Sequence, residues 1–159
     1  MVAERFAANG LTLHPTKTRR VAFHRPDQAV ERPATFDLLG FTLYWARSRR
    51  GFWVVKYRTA NDRFSRALRR IREWCRGHLH WSLEAQRRML AAKLQGHYAY
   101  YGVTSNFVGI RRFYEQVRRI WRQWLSRRSQ KGRVSWPAMA RILQVLPLPK
   151  PTIVHRFGA

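Results

Sequence analysis

Acidic residues are scarce in this sequence: 8 Asp and Glu stand against 32 Lys and Arg, a formal net charge of +24 over 159 residues. The acids are Glu4, Asp27, Glu31, Asp37, Asp62, Glu73, Glu84 and Glu115, and none is adjacent to another. Two-metal phosphoryl chemistry gathers several carboxylates around its cations. Acids scattered in this way suit ion pairs with arginine instead. No catalytic residue and no metal ligand set is therefore read from the chain. Cysteine is almost absent as well. The single Cys75 excludes an internal disulfide and a multi-cysteine zinc site, and its apolar helical position predicts a buried thiol. His78 and His80 stand two apart, not at the i, i+4 spacing of a helical metal pair. His97 sits among tyrosines and reads as a packed or stacking residue. No serine has a nucleophile-elbow context, and no glycine-rich phosphate loop occurs. No apolar run approaches the ~20 residues of a membrane span, and no signal-peptide core is found at the N-terminus. The expectation is a soluble cytoplasmic protein.

Arginine and aromatic residues are what the chain has in excess. A hydrophobic fraction of 45% with 14% aromatics is enough to build a core. So much like charge repels itself in a compact state, and a partner of opposite sign relieves it. Nucleic acid fits best, because each neutralised phosphate releases condensed counterions. An anionic membrane surface fits second. Arginine outnumbers lysine, which suits bidentate phosphate contacts and stacking.

The stretch from Leu94 to Lys131 concentrates both features. It opens on His97, Tyr98, Tyr100 and Tyr101, turns at Gly102 to Asn106, and continues as a long helix. Phe107, Ile110, Phe113, Tyr114, Val117, Ile120, Trp121, Trp124 and Leu125 keep a 3-4 spacing. The core reading takes Phe107, Phe113, Trp121 and Trp124. Arg111, Arg112, Arg118, Arg119 and Arg122 fall on the other side, offset only by Glu115. A merely solvated helix face interleaves signs, so these arginines are candidate phosphate contacts. Arg127, Arg128 and Lys131 extend them. The three tyrosines cannot share one helix side, so at least one is exposed and free to stack on a base.

Elsewhere the chain reads as follows. Residues 2–9 form a short helix with Val2 and Phe6 on one face, stopped at Asn9-Gly10. Residues 11–13 are extended, 18–24 alternate like a half-buried strand, and 25–34 form a loop. Phe36 to Trp45 is β-prone, and Gly40 suggests a bulge or a close backbone approach. After a turn at 47–51, Phe52 to Tyr57 completes a β-hairpin. From Asn61 the period is helical, with Phe64, Leu68, Ile71, Trp74 and Cys75 inward. Ser82 caps a second helix carrying Leu83, Leu90, Leu94, Tyr98 and Tyr101. The third helix begins near Asn106. Ser135 caps a fourth from Trp136 to Val145, with Met139, Ile142, Leu143 and Leu146 inward. LPLPKP at 146–151 lies extended on the surface.

Five blocks occur in order: GLTLHPTKTR (10–19), FDLLGFTLY (36–44), GHYAYYGVTSN (96–106), RRSQK (127–131) and LPLPKPTIVH (146–155). In this order they resemble bacterial group II intron-encoded reverse transcriptases over nearly the whole chain, the last three blocks resembling the maturase-specific region. The resemblance implies an α+β fold: a palm remnant with a β-hairpin at 1–58, then an all-helical thumb or maturase lobe of three to four helices at 61–155. It makes Leu38, Leu39, Gly40 and Phe41 a primer grip and Lys17 the orphan lysine of a palm active site. It makes Arg111, Arg112, Arg118, Arg119, Arg122, Arg127, Arg128, Lys131, Tyr98 and Tyr101 RNA contacts. The partners implied are structured intron RNA and an RNA/DNA template–primer duplex. The family's Tyr-Ala-Asp-Asp metal motif, fingers and most of the palm do not occur here, nor does a cysteine-rich nuclease domain. The magnesium of the complete family enzyme thus has no cofactor site expected in this chain. The implied function is RNA binding that supports splicing and reverse transcription without polymerase activity of its own. The alternatives are a subunit complementing a separate fingers–palm polypeptide, or a non-functional relic.

Overall fold

Leu39 (φ 50°) and Gly40 (φ 79°) are consecutive residues in the left-handed region, and they turn the chain between its first two strands. The computed structural model of the protein describes residues 2–10, 12, 21–26, 33–128 and 132–156. Strands β1 (Thr35–Leu38), β2 (Phe41–Arg47) and β3 (Trp53–Thr59) form an antiparallel sheet in the order β1-β2-β3. The helices are α1 (Val2–Ala8), α2 (Asn61–Gly77), α3 (Leu83–Tyr101), α4 (Phe107–Leu125) and α5 (Trp136–Val145), with a 3-10 turn at Thr104–Asn106 before α4. The mixed fold is thus α+β, with every described strand before residue 60 and all but one helix after it.

The sequence predicts one strand over 36–45 with a bulge at Gly40. A hairpin is found there instead, since Leu38 pairs with Phe41 across a two-residue loop. Positive φ at both loop residues gives the turn that matches the natural twist of the flanking strands. Tyr100 Oη donates to the Leu39 carbonyl at 2.7 Å, which helps hold a residue that rarely takes this conformation. The close approach at Gly40 is real, but to a side chain: a Cβ there would lie 2.9 Å from Tyr101 Oη. On the polar sheet face, Thr42 Oγ1 donates to Asp37 across the same hairpin. The turn expected at 47–51 closes β2 on β3, with Gly51 at φ 81°.

Of the strand expected over 18–24, residues 21–24 are described and form none. Phe23 is held by ring packing rather than by a ladder: it stacks on Trp45 at 5.4 Å and meets Phe36 edge-on at 4.8 Å. Phe6 on α1 is 40% exposed, so it adds no core. Most of the 10–19 block, with Lys17, lies outside the described residues, as do residues 27–32, 129–131 (with Lys131) and 157–159.

The core sits among the later helices. Leu90, Leu94, Ile110, Val117, Trp121 and Met139 are fully buried. Phe64 meets Phe113 edge-on at 5.9 Å, pinning α2 to the first half of α4. His97 stacks on Phe113 at 3.7 Å, and Trp121 Nε1 donates to Gln86 Oε1 at 2.8 Å, so α3 runs antiparallel to α4. Gln86 Nε2 also donates to the carbonyls of His78, Leu79 and Trp81, tying the α2–α3 connection. Ser82 and Ser135 cap α3 and α5 as the sequence predicts. Cys75 is buried, and that burial pushes its thiol up to about 12.

Two expectations for the core change. Phe107, at the first position of α4, is 42% exposed and is not among the side chains packed on the core. The 146–151 segment is extended but not superficial. Leu148 is 4% exposed, Arg87 Nε donates to the Pro147 carbonyl at 2.9 Å, and Tyr98 Oη donates to the Pro149 carbonyl at 3.2 Å. The segment then closes on Gly102, whose carbonyl accepts from Val154 and His155. A Cβ at Gly102 would collide with the Tyr98 carbonyl and lie 2.8 Å from that of Thr152.

Sheet and helices meet at Ser105 and Asn106. β3 is an edge strand with outward N–H groups at alternate residues. Ser105 Oγ accepts from Tyr57 N at 2.8 Å and donates to its carbonyl at 3.0 Å. Asn106 Oδ1 accepts from Thr59 N at 3.1 Å, and Nδ2 donates to Thr59 Oγ1 at 2.8 Å and the Tyr101 carbonyl at 2.9 Å. Asn106 is 1% exposed. A buried polar group that loses its partner costs about 1–3 kcal/mol. Asn106→Ala strands groups on both sides and is expected to destabilise the fold by about 3 kcal/mol, a fall of roughly 5–10 °C in thermal melts. A melt unchanged within error contradicts this role.

His97 supplies a pH test. Burial against Phe113 and Tyr101 drives its pKa from 6.5 down to about 4. The unfolded chain therefore takes up this proton first as the pH falls. The stability due to a neutral His97 is complete above pH 6.5 and is lost towards pH 4, by about 3 kcal/mol. Between pH 7.5 and 4.5 the wild type is expected to lose clearly more melting temperature than His97→Phe. Equal losses contradict the assignment.

Candidate nucleic-acid interface

An amphipathic α4 presents arginines opposite its buried face, but its neighbours divide them into two kinds. Arg118 is only 25% exposed at its side chain, and its Nη1 bridges both Glu115 oxygens at 3.1 and 3.2 Å. The one carboxylate on this helix is thereby committed. Arg122 Nη1 donates to the Val134 carbonyl at 2.9 Å, and its guanidinium lies 4.4 Å from the Trp136 ring centre. It tethers α5 to α4 and is half-buried. Arg111, Arg112 and Arg119 are exposed, with no ion pair among the described residues. Arg112 lies 5.4 Å over the Phe64 ring, which directs it across α2. Arg112 and Arg119 are seven residues apart and so lie two turns apart on one line of the helix.

Beyond α4, Arg127 and Arg128 are exposed, and Arg127 covers the Trp124 ring at 4.7 Å. Half-buried Trp124 packs on the core edge.

The tyrosines separate in the same way. Tyr98 is 3% exposed, and burial raises its phenol pKa, so it cannot stack on a base and its part is structural. Tyr101 is half-buried, packing on Phe41 at 5.2 Å and His97 at 4.7 Å. Burial, and then Tyr100, raises its pKa. Tyr100 is the exposed one at 52%, stacked on Phe41 at 5.8 Å. Tyr100 and Tyr101 together hold the Leu38–Phe41 turn against the end of α3. Leu38 and Leu39 are 52% and 76% exposed. Beside them lies an apolar depression of about 390 Å³, whose lining includes Leu43, Tyr57, Ala99 and Val103.

Among the described residues, no three His, Cys, Asp or Glu side chains gather as a metal site would require, and no helix is long and apolar enough to cross a membrane. Comparison with known protein families, characterised proteins and solved structures finds no match to this chain.

Sequence periodicity left open which of Tyr98, Tyr100 and Tyr101 is exposed, and it overlooked the bonding roles of Gln86 and Asn106. Gln86 had a legible signal, because it falls on the apolar line of Leu83, Leu90 and Leu94, where a polar residue needs a buried partner. Asn106 had none, since its partner Thr59 lies in β3 and is joined to it only by the tertiary fold.

Proposed function

We propose that this chain is an RNA-binding part of a group II intron reverse transcriptase or maturase. In this reading the Leu38–Phe41 hairpin corresponds to the primer grip, and residues 61–155 to the thumb or maturase lobe. It grips structured intron RNA and a template–primer duplex in the cytoplasm, and performs no polymerisation alone. The observation that carries the reading is the exposed set Arg111, Arg112 and Arg119, without an ion pair among the described residues, on the helix that follows the GHYAYYGVTSN block. Arginines with no carboxylate to satisfy them are available to phosphates, and a guanidinium meets a phosphate bidentately. In this reading Arg118 is held within α4 by Glu115 and Arg122 tethers α5, and Tyr100 replaces Tyr98 as the stacking tyrosine. Magnesium belongs to the complete family enzyme.

The apolar depression beside Leu38, Leu39 and Tyr100 favours a second reading, in which a separate fingers–palm polypeptide covers it to give RNA-directed DNA polymerase activity. Primer extension on mixing the two chains distinguishes it from the first.

RNA affinity measured against salt tests the leading reading. Wild type is expected to show a steep log–log slope, because each phosphate contact releases counterions. Replacing Arg111, Arg112 and Arg119 by Gln is expected to flatten that slope by about 2–3. Replacing Arg118 and Arg122 is expected to lower the melting temperature more than the slope. Binding that is weak and independent of salt overturns the reading.

A further inference from the structure

The second-helix arginines point to a site that α4 alone does not supply. Arg69, Arg72 and Arg76 are spaced three and four apart, so they line one flank of α2. They are exposed, and none makes an ion pair among the described residues. Phe64 meets Phe113 at one end of the α2–α4 packing, while Arg69, Arg72 and Arg76 share one depression with Trp124 and Arg127 at the other. The two helices therefore run in the same direction, and the flank of α2 faces the end of α4 across a depression of about 490 Å³.

The walls of this depression carry four guanidiniums and one carboxylate, that of Glu73. Such convergence on a concave surface focuses a positive potential, which a lone solvated helix face does not. Arg127 also borders a neighbouring depression of about 440 Å³ lined by Arg122 and Arg133, so the basic surface continues around the end of α4. Trp124 adds a wall whose indole N–H is buried with no acceptor. A membrane is a poor occupant. Interfacial helices insert apolar side chains, whereas the lining here is four arginines and a glutamate beside one half-buried Trp124, and the exposed Leu38 and Leu39 lie on the sheet hairpin.

We propose that the depression between α2 and the end of α4 is a backbone-phosphate site for RNA, in which Arg69, Arg72, Arg76 and Arg127 hold consecutive phosphates. This site rests on the RNA-binding reading above and extends the contact surface from α4 onto α2. Glu73 opposes the ligand there and weakens it.

The test is the affinity of the full chain for a structured RNA across salt, with variants of both signs. Arg72→Gln/Arg76→Gln is expected to weaken binding about tenfold and to flatten the slope by about 1.5. Glu73→Gln is expected to tighten binding a few-fold. Arg49→Gln/Arg50→Gln in the β2–β3 turn removes the same charge elsewhere and is expected to change the slope much less. Thermal melts verify that the exposed substitutions leave the fold intact. A wild type that binds no RNA overturns the functional reading and this site with it. Steep wild-type binding with an unchanged slope in the α2 variant overturns this site alone. So does an equal loss in the turn variant, which reduces the effect to net charge. Binding of anionic vesicles that needs Arg72 and Arg76 while RNA binding does not also overturns it.

Discussion

The carboxamide of Asn106 stands where the sheet and the helices meet. Its oxygen takes the Thr59 N–H, and its nitrogen serves the Thr59 hydroxyl and the Tyr101 carbonyl. Satisfying all three in a dry site demands one rotamer, and Gly109 makes room for it: a Cβ there would overlap the Asn106 amide. The same contact fixes where α4 begins, because Asn106 ends the 3-10 turn that leads into Phe107. The rotation of α4, and so the direction in which its arginines face, follows from a buried amide at its start.

From that anchor the rest is ordered outward. α3 and α4 lock through His97 on Phe113 at one end and Gln86 on Trp121 at the other. The 146–156 segment seals α3 by bonding to Gly102. Tyr100 and Tyr101, just before that glycine, clamp the Leu38–Phe41 turn. The hairpin and the helical lobe thus share one short stretch of chain, residues 97–106, for their mutual placement.

The helices were legible because apolar spacing of three and four, with serine caps, is a strong local signal. α2 through α5 fall where Phe64, Leu90, Phe113 and Met139 predict. The β1–β2 hairpin was hidden, because a Leu in the first position of a primed turn is uncommon and Gly40 alone resembles a bulge. The site was half legible. Sequence separates arginine from core but cannot tell a free guanidinium from one bonded to the Val134 carbonyl, since that bond spans a loop. It likewise could not choose among Tyr98, Tyr100 and Tyr101, because the exposed one is decided by the Pro149 segment covering Tyr98.

A +24 chain whose buried core sets Phe113, Trp121 and Tyr98 among aliphatic residues keeps its compact state while leaving Arg111, Arg112 and Arg119 without an ion pair among the described residues. A bound polyanion relieves that repulsion most strongly at the groups that contact it directly. Arginine side-chain N–H resonances report each guanidinium separately, so an NMR titration with structured RNA is the most direct test of this division. Arg111, Arg112 and Arg119 are predicted to shift on RNA addition, while Arg118, held by Glu115, and Arg122, held by Val134, keep their positions. Equal shifts at all five, or shifts at none, contradict the account.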